Sequence, residues 1–257
     1  MARNGSDGNW LDRNVKHLCL AAFAVGVGAL AVFAFNTVSN GTVATAEPRP
    51  NAVASRTPEP VPTVAVTRPA GRPLQVLFAG DSLSAGLYAS EQAKAFKYVM
   101  IDTLDDGGPV KEFNNAISGG TTAQVSESYP VPTGLDLAVI ELGTNDVGNG
   151  ASLEDFTADY TTLITNVTTA NPGVPLVCAW IWKGDGSPRV DDFDATIKST
   201  CEAAGGVYAS LKSIYQAPAN SGPEGVATFQ GASDLFHPND AGHAAIAERL
   251  LKRIAVV

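Results

Sequence analysis

The stretch Leu74-Gln-Val-Leu-Phe-Ala-Gly-Asp-Ser-Leu-Ser84 decides how the rest of the chain is read. A short unbroken apolar run closed by a glycine has the form of a strand buried on both faces, as in the first strand of a parallel sheet. Ser82 then stands just past the carboxyl end of that strand, the edge where open α/β sheets place their ligands. A serine after Gly-Asp is by itself more often a helix cap than a nucleophile. The meaning of Ser82 therefore depends on what else the chain brings to that edge.

Outward from this run, helix and strand signals alternate. Residues 91–104 carry a helical apolar stripe stopped by Gly107-Gly108-Pro109, and residues 110–114 form a short strand. Residues 136–142 form a third strand. Ser152 then caps a helix to about Ala170, with Asp155 three residues on. Residues 176–181 give a fourth strand, 191–204 a helix with acidic residues in its first turn, and 207–209 a brief fifth strand. Residues 215–231 are rich in Gly, Pro, Asn and Ser and read as a loop, followed by a final helix over 240–254. Such alternation predicts an α/β domain over 74–257, with right-handed crossovers and a parallel sheet.

The residues before it have other characters. Residues 1–17 are polar, and Arg13 and Lys16 precede an uncharged, mostly apolar run of eighteen residues, 18–35. That length just suffices to cross a bilayer, and the positive flank puts the N-terminus inside and the rest outside. The segment is expected to be a retained membrane anchor or a cleaved secretory signal, with Ala44-Thr45-Ala46 as a cleavage site. Both readings export the domain. Residues 36–73 read as a linker, because prolines at 48, 50, 58, 60, 62, 69 and 73 oppose helix and sheet pairing. Beyond residue 46 there are 14 basic and 24 acidic residues without a basic stripe, which argues against nucleic acid as a partner. Cys178 and Cys201 fall on a strand and a following helix. Either a disulfide or two buried thiols suits them.

Three further blocks accompany Gly80-Asp81-Ser82: Asn114-Asn-Ala-Ile-Ser-Gly-Gly-Thr121, Gly143-Thr-Asn-Asp146 and Asp234-Leu-Phe-His-Pro-Asn239. In this order the four resemble the SGNH (GDSL) hydrolase family over about residues 74–254. The resemblance implies a three-layer α/β/α fold with five parallel strands in flavodoxin-like order 2-1-3-4-5. It also implies a catalytic triad of Ser82, His237 and Asp234, and an oxyanion hole built from the Ser82 and Gly119 N–H groups and the Asn145 amide. Gly120 leaves that glycine's register open by one.

A hydroxyl is a poor nucleophile near neutral pH, so Ser82 needs a base, and the base needs an orienting group on its other nitrogen. Asp81 and Asp146 are expected to shape their own loops, His243 to pack or to lie on the helix surface, and at least one of Trp180 and Trp182 to line a subsite while core packing accounts for the other. Neither metal-ligand spacing nor a phosphate-binding glycine loop is present, so no cofactor is implied. The expected activity is an exported serine esterase acting on a small acyl group, with a carbohydrate as one candidate carrier. An acyltransferase with the same triad and a noncatalytic binding module are the alternatives.

Overall fold

A computed structural model of the chain describes residues 61–184 and 186–257. The expected membrane segment 18–35 and most of the 36–73 linker lie outside these residues. Among the described residues no helix is long and apolar enough to cross a membrane. The strands are β1 (Val64–Val66), β2 (Leu74–Gly80), β3 (Val110–Ala116), β4 (Leu137–Glu141), β5 (Leu176–Ala179), β6 (Val207–Ala209), β7 (Ala227–Thr228), β8 (Gly231–Ala232) and β9 (Ile254–Val256). The helices are α1 (Phe96–Asp105), α2 (Thr122–Ser128), α3 (Thr144–Gly148), α4 (Leu153–Ala170), α5 (Pro188–Ala203), α6 (Lys212–Tyr215) and α7 (Asp240–Leu251).

The central sheet is parallel, in the order β3-β2-β4-β5-β6. Counted from the Leu74 strand, this is the expected 2-1-3-4-5. β2 lies between β3 and β4, which is why its apolar run is almost wholly buried. Helices cover both faces: α1 packs with α7, and α4 with α2 and α5. Cys178 on β5 and Cys201 on α5 form a disulfide, with Cα atoms 6.2 Å apart.

The domain begins earlier than Leu74. β1, inside the stretch read as linker, pairs in parallel with β9, matching Val64 to Ile254 and Val66 to Val256. Prolines 62 and 69 frame this segment without entering it, so its N–H groups are free to pair, and the Val-Ala-Val alternation turns both valines into the core. For the same reason the last helix stops at Leu251, and Ile254–Val256 turns into a strand. The loop expected over 215–231 holds a 3-10 turn (Pro218–Asn220) and strand β7, which pairs with β8 as a small hairpin. The helix expected from 191 starts at Pro188, because the Ser187 side chain accepts the Val190 N–H as its cap.

Burying a valine is worth about 1.5–3 kcal/mol. A domain beginning at Leu74 should therefore melt at least about 5 °C below one beginning at Val61. Equal melting temperatures by circular dichroism would leave the β1–β9 pair without a stabilising role.

Candidate active site

β2 ends at Gly80, where an added Cβ would lie 2.0 Å from Ser84 Oγ and 2.8 Å from the Glu141 carbonyl. Only glycine lets the chain turn this tightly against β4. The turn beyond it is closed by Ala85 N–H to Asp81 O and Leu87 N–H to Ser82 O, both 2.9 Å. His243 of α7 secures it from below. Its Nδ1 accepts the Phe96 N–H at 3.3 Å and its Nε2 donates to Leu87 O at 3.1 Å. Of the two places expected for His243, core and helix surface, the structure shows the core, and burial pushes its pKa down to about 4.

The loop before α7 brings the base to this turn. Ser82 Oγ lies 3.0 Å from His237 Nε2, and His237 Nδ1 lies 2.8 Å from Asp234 Oδ2. The other Asp234 oxygen accepts the N–H groups of Phe236 (2.9 Å) and His237 (2.7 Å). Burial pushes the Asp234 carboxyl up, but these donors and the imidazole outweigh it and hold its pKa below the ordinary value. A carboxylate on Nδ1 keeps the proton there, so Nε2 is the acceptor for the serine hydroxyl. Trp182 braces the loop through Nε1–H to Phe236 O at 2.8 Å. Trp180 and Trp182 are each only 1% exposed, so neither lines a subsite as expected; both pack against Tyr215.

The remaining two blocks follow β3 and β4. Gly119 is exposed in the left-handed region at φ 76°, and its N–H has no partner among the described residues. The neighbouring Gly120 N–H is engaged by Ile117 O at 2.8 Å. Asn145 Nδ2 donates to Asp81 Oδ2 at 3.2 Å and to Gly120 O at 3.0 Å. Asp81 thus braces a neighbouring block as well as its own loop, where it accepts the Leu83 N–H at 3.1 Å. Asp146 holds a different loop from its own: its carboxylate accepts the N–H and hydroxyl of Thr122 at 3.1 Å, tying α3 to the start of α2. α2 was not expected, although Thr121 and Gln124 carry the spacing of the capping box that starts it.

Tyr88, at a left-handed φ of 64°, sets its ring edge-on to His237 with centroids 5.0 Å apart. It also lines a recess of about 310 Å³ shared with Gly222, Pro223, Val226, Ser233 and Asn239. Among the described residues, no group of three or more His, Cys, Asp or Glu side chains is placed to hold a metal ion.

Residues 78–245 match the model of the GDSL-like lipase/acylhydrolase family. The psychrotrophic esterase EstA from Pseudoalteromonas sp. is similar in fold, with 21% identity over 70% of this chain and 96% of its own, and a TM-score of 0.54. Axe2, an acetyl-xylooligosaccharide esterase from Geobacillus, aligns at 18% identity over 70% of this chain and 93% of its own, with a TM-score of 0.55. A two-domain esterase (CEX) active on acetylated mannans aligns at 23% identity over 71% of this chain and 48% of its own, also with a TM-score of 0.55. No curated protein matches the sequence.

Because the unfolded chain protonates His243 near 6.5 and the folded chain only near 4, unfolded molecules bind the extra proton between these values. Stability conferred by neutral His243 is complete above pH 6.5 and is lost as pH falls towards 4. The stability of wild type minus that of His243→Gln, from urea melts, should therefore decrease by about 2–3 kcal/mol over that window. A difference independent of pH would show that His243 takes up its proton as readily when folded.

Proposed function

The chain belongs to the GDSL-like lipase/acylhydrolase family, and from that membership we propose that it is an exported serine esterase that cleaves small acyl esters through an acyl-enzyme on Ser82. The observation that carries the reading is the continuous hydrogen-bonded path from Ser82 Oγ through His237 to Asp234. As Oγ attacks the ester carbonyl carbon, His237 Nε2 takes its proton, and Asp234 steadies the imidazolium. The oxyanion is met by the Ser82 and Gly119 N–H groups and by the Asn145 amide. Both hydrogens of that amide are engaged in the unliganded site, so the oxyanion takes the place of Gly120 O while Asp81 keeps its own. Nε2–H then protonates the departing alkoxide. Water, deprotonated by the same nitrogen, attacks the acyl carbonyl, the acyl–Oγ bond breaks, and Nε2–H returns its proton to Ser82 Oγ.

That two proteins of similar fold act on acetylated sugars supports a carbohydrate carrier. Export is supported by the charge and hydropathy of residues 1–35 and by the Cys178–Cys201 bridge, of a kind that persists in oxidising compartments. The retained anchor at 18–35 belongs to the same proposal.

A fluorophosphonate probe should label wild type and leave Ser82→Ala unlabelled; equal labelling of both would remove Ser82 as nucleophile. With a small aryl ester, Asn145→Ala should lower kcat about 10²- to 10³-fold while KM changes little. Unchanged kcat would take Asn145 out of the oxyanion site.

A further inference from the structure

Glu141 is the last residue of β4 and pairs in register with Gly80, directly beneath the nucleophile turn. It is fully buried, as is Asp81, which directly follows Glu141's register partner Gly80, so the two carboxyls are close enough to act on each other. Among the described residues, no positive side chain is among the groups that act most strongly on them. Asp146 acts on Asp81 from α3 and the Tyr160 phenol faces Glu141 from α4, neither of which brings positive charge. Two adjacent buried carboxylates without a counter-ion cannot both be ionised, so the pair holds a proton.

The hydrogen bonds decide where that proton sits. Asp81 accepts the Leu83 N–H, one hydrogen of the Asn145 amide and, at 3.4 Å, a secondary contact from Ser82 Oγ. These donors stabilise an anion. The Glu141 carboxyl feels the Asp81 N–H and its Oε2 accepts the Ser84 hydroxyl at 3.1 Å, whereas its Oε1 is buried with no hydrogen-bond partner among the described residues. An oxygen that lacks a donor is the one that carries the hydrogen. Burial raises both carboxyls, and the negative charge of Asp81 raises Glu141 further.

We propose that Glu141 is a positioning residue of the esterase: it remains a neutral acid and donates its hydrogen to Asp81, whose carboxylate orients the Asn145 amide and the turn carrying Ser82. The chain of support runs Ser84, Glu141, Asp81, Asn145. Holding the proton there has a chemical consequence, because a second buried charge would oppose the negative oxygen that the site has to stabilise. It also explains why an acidic residue interrupts an otherwise apolar buried strand.

The kinetic part of this inference rests on the esterase reading, so the test has an arm that does not. In infrared spectra at pH 7, wild type minus Glu141→Gln should show the C=O stretch of a buried carboxylic acid, with or without any turnover. No such band would overturn the proposal. Gln keeps an N–H donor for Asp81 and a carbonyl acceptor for Ser84, as a neutral Glu does, so Glu141→Gln should keep kcat for a small aryl ester within about threefold of wild type. Glu141→Leu can do neither, and should lose about 10-fold or more in kcat with KM within about threefold. Wild-type kcat in Glu141→Leu, or an equal loss in Glu141→Gln, would overturn the positioning role. Should Glu141→Leu fail to fold by circular dichroism, the infrared band and the Glu141→Gln kinetics decide alone.

Discussion

The tight crossing of β2 and β4 at Gly80 is the constraint on which the site depends. There is no room for a side chain at that crossing, so β2 must end in glycine and the chain must turn at once. Its parallel partners β3 and β4 run past in register, pairing Gly80 with Ala116 on one side and Glu141 on the other. Three loops therefore leave the same sheet edge a few residues apart. Everything the proposed chemistry uses, apart from the histidine and its aspartate, is delivered by this edge.

Polar contacts then lock these loops to one another. Asp81 holds Asn145, Asp146 holds Thr122, and Asn145 reaches Gly120, so the blocks after β2, β3 and β4 are cross-braced. The histidine loop comes from the far end of the chain and needs separate anchoring. It obtains this from Trp182 at Phe236 and from the Asn239 amide, which bonds the carbonyls of Ala219, Ser221 and Gly222. The side chains proposed to react are thus held by donors and acceptors that are themselves buried or braced, the arrangement that preorganised electrostatic catalysis requires.

How much of this was legible in the sequence depended on how specific each signal is. The alternation of strands and helices announced a parallel sheet, whereas its order and the meeting of Ser82, His237 and Asp234 could be anticipated only through the family resemblance that the four motif blocks carry together. β1 was hidden, since a three-residue strand among prolines has too little periodicity to stand out, and its partner β9 is as short. Trp180 and Trp182 misled for a physical reason: a large aromatic at a strand end is equally suited to a subsite and to a core, and here the core takes both. Glu141 carried no signal at all as one acidic letter closing an apolar strand. Its setting is visible only once Asp81 and Ser84 are beside it.

The central claim is that the serine, the histidine and two separate loops act on one reacting centre. It is tested most directly by a crystal structure of the protein inactivated with a small phosphonate ester. The account predicts phosphorus bonded to Ser82 Oγ, with the phosphoryl oxygen about 2.7–3.1 Å from the Gly119 N–H nitrogen and from Asn145 Nδ2, and the contact from Asn145 to Gly120 O broken. A phosphoryl oxygen turned away from both groups, or an adduct on any other residue, would contradict it.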